Sequence, residues 1–169
     1  RASTLLVVDA AGAVVTGDGR PSSELRMHLA VYAARPDVHA VVHAHPPTAT
    51  AFALAGESLP DDVLPELVCQ MGTVALVPYF TPGTAGALDA FAPYLAGHEA
   101  FLLANHGATT VGATLAEAHR RMESLEHAAR IVHAARLLGR VTPLTAGQLA
   151  ALPRPTRAVQ AAGSPVGEP

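Results

Sequence analysis

The sequence is short of most features that mark exported, membrane-bound or nucleic-acid-binding proteins. Cys69 is its only cysteine, so no disulfide can form within the chain and a reducing compartment is compatible. No apolar run reaches the ~20 residues that a membrane helix needs. No secretory leader pattern opens the chain, and a cytoplasmic location is expected. Tryptophan and lysine are both absent. The formal net charge is −3 with no basic block, which argues against a partner held by nucleic-acid phosphates. No internal repeat is visible.

What is present supports one folded body. Half of the 169 residues are hydrophobic, many of them alanine, and that length can bury a real core. The expected division is a single domain over residues 1–140 and a tail over 141–169. The tail is rich in Pro, Gly and Ala and is expected to be loosely held. The chain starts at Arg1 and enters a strand almost at once, so an N-terminal segment is expected to be missing upstream.

Thr4–Val8 and Ala13–Thr16 are expected to form a hairpin across the turn at Asp9–Gly12. A helix follows, capped by Ser22 or Ser23, with an apolar stripe of Leu25, Leu29, Tyr32 and Ala33, and ended by Pro36. Val41 and Val42 begin a strand that Pro46 and Pro47 stop. Thr48–Leu54 is a short helix closed by Gly56. Residues 59–71 do not choose between helix and loop. Thr73–Val77 is a strand, 81–84 a turn, 85–95 a helix, Ala100–Ala104 a buried strand and Thr109–Val111 another. Thr114 and Glu117 form a capping box for a long helix carrying Leu115, Ala118, Met122, Leu125, Ala129 and Val132. The sum is an α/β domain of three layers, with a mixed or antiparallel central sheet flanked by helices.

In the strand that ends at Pro46, alternate side chains share a face, so His43 and His45 point the same way. By itself this pair is a weak signal, more simply read as two polar residues at the end of a buried strand. His106 adds to it, because it ends a second strand and precedes Gly107. Three imidazoles at two strand ends, with a fourth position open, form the pattern of a catalytic zinc site. Glu24, in the first turn of the helix after the serines, complements the helix dipole. The same helix end, with Ser22 and Ser23, is suited to an anion.

These stretches together resemble the class II aldolase/adducin family, typified by L-fuculose-1-phosphate aldolase. The resemblance rests on G-R-P-S-S-E-L-R-M-H-L-A-V-Y-A-A-R-P-D-V-H-A-V-V-H-A-H, on V-P-Y-x-x-P-G-T at 77–84, on N-H-G at 105–107, and on the helix through E-A-H-R-R-M-E-S-L-E-H-A-A-R. It implies a sheet flanked by helices, assembled as a C4 homotetramer with active sites near subunit interfaces. It implies His43, His45 and His106 as ligands of Zn2+, with Mn2+, Co2+ or Fe2+ as alternatives. It further implies Glu24 as the catalytic acid/base and Ser22 and Ser23 as contacts to a substrate phosphate.

The implied reaction is cleavage of a ketose 1-phosphate into dihydroxyacetone phosphate and an aldehyde through a metal-stabilised enediolate. Pentulose-phosphate epimerisation or methylthioribulose-phosphate dehydration on the same site is the first alternative. An adducin-like assembly module without metal is the second. Three departures from the family type stand out. The upstream glycine-asparagine and threonine-glycine loops are absent. Residues 59–71 carry no proton-donating tyrosine, Glu66 lying near that position, and the tail has none either.

Overall fold

Val7–Val8 (β1) and Val14–Thr16 (β2) pair antiparallel in a two-stranded ribbon. The structure is a computed structural model and describes residues 5–81, 84 and 86–154. Thr4, Pro82, Gly83, Ala85 and the tail from 155 onward therefore lie outside the described residues. Gly12 turns the ribbon with a φ of +86°, and a Cβ there would meet Leu29 and Leu25 at 3.3 and 3.4 Å. The ribbon thus lies against the next helix, α1 (Leu25–Ala34).

The expected stripe on α1 is displaced. Met27 and Val31 are the buried pair, whereas Tyr32 is 41% exposed and Ala33 is exposed as well. Nearly every residue of α1 is apolar, so periodicity alone cannot tell which i, i+4 pair meets the sheet. Neither serine caps the helix. Glu24 holds the N-cap position in a helical conformation without a side-chain cap bond. Ser22 Oγ instead accepts from the Glu24 N–H at 3.2 Å, in a turn just ahead of the helix.

Seven further elements lead up to the long helix. They are β3 (Ala40–Ala44), α2 (Pro47–Ala55), α3 (Pro65–Met71), β4 (Ala75–Val77), α4 (Gly86–Leu95), β5 (Ala100–Leu103) and β6 (Gly107–Gly112). The ambiguous stretch 59–71 thus yields one short helix, started by Pro65 at its first position. The long helix is α5 (Leu115–Leu137). Its capping is not fully reciprocal. Thr114 Oγ1 accepts from Glu117 N, but the Glu117 carboxylate takes the N–H of Ala113 rather than that of Thr114. Leu115 is 67% exposed, off the buried stripe. In the tail, α6 (Ala146–Ala150) carries its own capping box of Thr145 and Gln148. Leu144 N–H donates to Asp62 O, and Val141 packs on the core.

The four-stranded sheet has the order β3-β6-β5-β4, antiparallel except for the β4–β5 pair. Side-chain alternation separates two apolar layers. Ala100, Leu102 and Ala108 face α2, α3 and α5 together with Phe52, Leu67 and Leu125. Val41, Phe101, Leu103 and Val111 face α1 and α4 together with Met27, Val31 and Phe91. Helices on both faces make the expected three layers. Among the described residues no helix is long and apolar enough to cross a membrane.

Candidate metal centre

His43 is the last histidine inside β3, and the register sets it opposite Thr109 on β6. It shares its sheet face with Val41 and so points toward the α1 side. His45 lies one residue beyond the strand end, just before the two prolines that start α2. His106 lies between β5 and β6. The backbone reverses there because Asn105 adopts a left-handed φ of 58°, a conformation asparagine tolerates better than most residues. The Asn105 N–H is anchored on Ala53 O at 3.3 Å.

These elements bring the three imidazoles together. Ring centroids are 5.0 Å apart for His43–His45, 4.8 Å for His43–His106 and 5.1 Å for His45–His106. One ring nitrogen from each lies within 4.8 Å of the others. Gly107 makes this approach possible. A Cβ at that position would collide with the His45 ring and lie 2.7 Å from Ala44 O.

The hydrogen bonds orient the set. His43 Nδ1 lies 2.9 Å from Ala108 O and 3.2 Å from Thr109 Oγ1. A carbonyl can only accept, so Nδ1 carries the proton and Nε2 keeps its lone pair. Nε2 is buried and has no hydrogen-bond partner, and the same is true of His106 Nδ1. Buried polar atoms are normally paired, and a cation is the partner that such lone pairs fit. Burial, followed by the charge of His106, pushes His43 down to about 4. Burial also lowers His106. Both rings are therefore neutral, ligand-competent bases at pH 7. A set of three imidazoles suits zinc or a neighbouring transition metal better than magnesium or calcium.

Glu24 belongs to this end of the sheet, because its charge opposes the lowering of both His43 and His106. Its Oε1 accepts a hydrogen bond from Ser23 Oγ at 3.1 Å. Ser22 and Ser23 are both exposed beside it. All six residues singled out in the sequence thus fall at one end of the molecule. What sequence reasoning missed is their support, namely Ala108 O, Thr109 Oγ1 and the space left at Gly107. Strand register supplies the first two, and no local motif announces it. A groove of about 850 Å³ runs between α3 and α5, but none of the three clustered histidines lines it. Glu66 lines that groove and is exposed.

This fold is that of the class II aldolase superfamily. The family described as Class II Aldolase and Adducin N-terminal domain matches residues 1–133, and the chain belongs to it. Among curated relatives, it is 39% identical over 151 residues to the 3-oxo-tetronate 4-phosphate decarboxylase of Escherichia coli (strain K12), covering 86% of this chain and 69% of that one. It is 35% identical over 129 residues to the L-fuculose phosphate aldolase of Methanococcus vannielii, covering 76% and 68%. Among solved structures, YgbL from Klebsiella pneumoniae superposes with a TM-score of 0.81 at 35% identity, covering 90% of this chain and 74% of that one.

Proposed function

We propose that this chain is a divalent-metal-dependent carbon–carbon lyase acting on a phosphorylated sugar acid, with decarboxylation of a 3-oxo-tetronate 4-phosphate as its reaction. The observation that carries the metal-dependent reading is the convergence of three imidazoles, two of which hold a buried nitrogen without a partner, beside the charge of Glu24. His43, His45 and His106 would hold the ion, with Zn2+ first and Mn2+, Co2+ or Fe2+ as alternatives. When bound, the ion supplies Lewis-acid stabilisation of negative charge on a ketone oxygen. The 169 residues contain no lysine, so they offer no ε-amine for a Schiff base with that ketone.

The choice of reaction follows from the leaving group. In a 3-oxo-tetronate the carboxylate sits two carbons from the ketone. The C1–C2 bond breaks, carbon dioxide departs, and the electron pair is left as an enediolate across C2 and C3. No base is needed at the departing carbon. Glu24, in its acid form, then gives a proton to C2 and forms dihydroxyacetone phosphate. Being half-buried, it recovers that proton from water. Aldol cleavage releases the same enediolate but must also deprotonate the hydroxyl of the departing carbon. Residues 59–71 hold no tyrosine for that task. The similarity to the decarboxylases points the same way. Ser22 and Ser23 would hold the substrate phosphate at the N-terminal end of α1. Ser23 also steadies Glu24 through its hydrogen bond.

Aldol cleavage of a ketose 1-phosphate is the second reading, supported by the similarity to an L-fuculose phosphate aldolase. A cytoplasmic homotetramer goes with either reading, and light scattering on the eluted protein checks the assembly. The deciding assay offers metal-loaded protein both substrates and follows carbon dioxide, aldehyde and dihydroxyacetone phosphate. Carbon dioxide with the triose phosphate is expected, whereas aldehyde with the triose phosphate and no carbon dioxide would reassign the reaction to aldol cleavage. Glu24→Gln should keep the metal and lose about 10²–10⁴-fold in turnover. Full activity in that variant would remove Glu24 from the mechanism.

A further inference from the structure

The helix that follows the H-x-H strand has no cap of its own. α2 is entered through Pro46 and Pro47, and its N-cap residue makes no side-chain cap bond. Pro47 has no N–H to satisfy. The Thr50 N–H is taken by Pro46 O at 2.9 Å. Thr48 and Ala49 remain, and their N–H groups both donate to one carboxylate, that of Glu126. Thr48 N lies 3.2 and 3.0 Å from its two oxygens, and Ala49 N lies 2.9 Å from one of them. Ala49 is fully buried, so water is a poor substitute for this bond.

Glu126 reaches across from α5, 78 residues further along the chain than Thr48. Its neighbours Met122, Leu125 and Ala129 are buried in the core that α2 and α5 share. The carboxylate is therefore fixed by a rigid helix. It holds the α2 N-terminus by charge-assisted bonds, which are shorter and stronger than neutral ones. His45 lies three residues before Thr48, beyond the last strand residue, and is exposed. The sheet ladder does not fix it. Its ring is confined by Gly107 on one side, and its backbone leads directly into the clamped turn.

We infer that Glu126 is a positioning residue for His45, setting the height of its imidazole against His43 and His106 by clamping the N-terminus of α2 from α5. This inference rests on the metal reading for its consequence but not for its geometry. The clamp acts on the protein whether or not an ion is bound. Replacing the carboxylate with an amide turns one oxygen into an NH2 group that faces a donor. The H-P-P turn then loses an anchor, and His45 samples positions that the other two rings do not share.

The test uses the full chain with Glu126→Gln, Glu126→Asp, His45→Ala and the double variant Glu126→Gln/His45→Ala. Zinc affinity is measured by chelator competition. The ring 1H–13C signals of His45 are followed in metal-free protein, with Tm recorded for each. Glu126→Gln is expected to weaken zinc binding by about 10–100-fold, the range for groups that orient a ligand. It should also broaden or split the His45 ring signals. In the His45→Ala background the same substitution should leave zinc affinity unchanged within about twofold, because its effect runs through that ring. A lowered Tm with wild-type zinc affinity and a single unchanged His45 signal would show Glu126 to be a helix cap only, and would overturn the inference. Equal losses of affinity in both backgrounds would overturn it too. Should the amide fail to fold, Glu126→Asp, which keeps the charge and withdraws it by one carbon, carries the same two readouts. If the wild-type chain binds no zinc, the metal reading fails, and the metal-free His45 signals still decide the clamp.

Discussion

The same strands carry a polar cluster at each end, and the two clusters are built on opposite terms. Glu99 comes just before β5 and His106 follows its far end. At the Glu99 end, Arg35 and Glu99 are buried, with 7% and 6% exposure. Arg35 pairs with Asp37 at 2.7 Å and with Glu99 at 2.9 Å. It also donates to the carbonyls of Leu95 and His98. Arg121 reaches the other Glu99 oxygen at 3.2 Å and pairs with Glu117 at 2.9 Å. The bond to Asp37 leads the causes that hold the Arg35 guanidinium above its ordinary range. At the histidine end the bonding is open. His43 Nε2 and His106 Nδ1 are buried without partners, and burial drives both rings toward their neutral forms. A buried cluster whose donors meet acceptors is complete as it stands. One that keeps lone pairs waiting is where a ligand belongs.

The largest expected contrast comes from cutting one member out of each cluster. His106→Ala should reduce divalent-metal affinity by more than about 100-fold, beyond the range known for merely supporting groups. It should leave the Tm of metal-free protein nearly unchanged, because it removes an atom that had no partner. Glu99→Ala should do the reverse. It leaves Arg35 and Arg121 short of a buried counter-charge, at a cost of about 3–5 kcal/mol. That corresponds to a drop of roughly 10 °C in Tm for a domain of this size. Metal stoichiometry should hold wherever the variant is folded. If His106→Ala proved the more destabilising of the two without metal, the distinction between an open and a closed end would collapse.

A smaller effect tests how the open end is kept open. Gly107→Ala should push the His45 ring aside and weaken metal binding by about tenfold. Overpacking of this kind costs about 1–3 kcal/mol. Wild-type metal affinity in this variant would mean that His45 is not held against β6 as the structure has it.

Much of this was legible in the residues, for identifiable reasons. The H-x-H alternation, the N-H-G turn and the two prolines are local signals, and the structure brings the three histidines they carry together. The long periodic helix showed its buried stripe apart from Leu115, which stands in the first turn and projects past the core. The face of α1 was not legible, because an almost wholly apolar helix offers no contrast between its sides. Nor could α3 be separated from a loop while Pro60 and Pro65 punctuated it. Contacts that depend on register or on distant pairing were out of reach. Thr109 beneath His43, and Glu126 at the start of α2, belong to neighbours that only the folded sheet and helices bring together. The reaction was only partly legible. The three histidines and Glu24 point to metal-assisted chemistry, and no local motif names the leaving group.

The smallest predicted effect sharpens the comparison through pH. In metal-free protein His43 titrates near 4, because burial and the charge of His106 disfavour its protonated form. In the unfolded chain it titrates near its ordinary value of about 6.5. Between these values the unfolded state binds more protons than the folded one, so stability rises with pH across the window. The contribution is fully present above about pH 6.5 and is lost as pH falls toward about 4. His43 is only half-buried, so solvent screening reduces the effect to the order of 1–2 kcal/mol. His43→Gln keeps an N–H for Ala108 O but cannot be protonated. Its Tm, followed from pH 7 to pH 4.5 without metal, should fall less steeply than that of the wild type. The Arg35 guanidinium itself adds no slope there, since it stays charged throughout. Parallel slopes for wild type and His43→Gln would mean that the histidine end is better solvated than its buried nitrogens imply, and the unmet lone pairs would then be water's partners rather than a metal's.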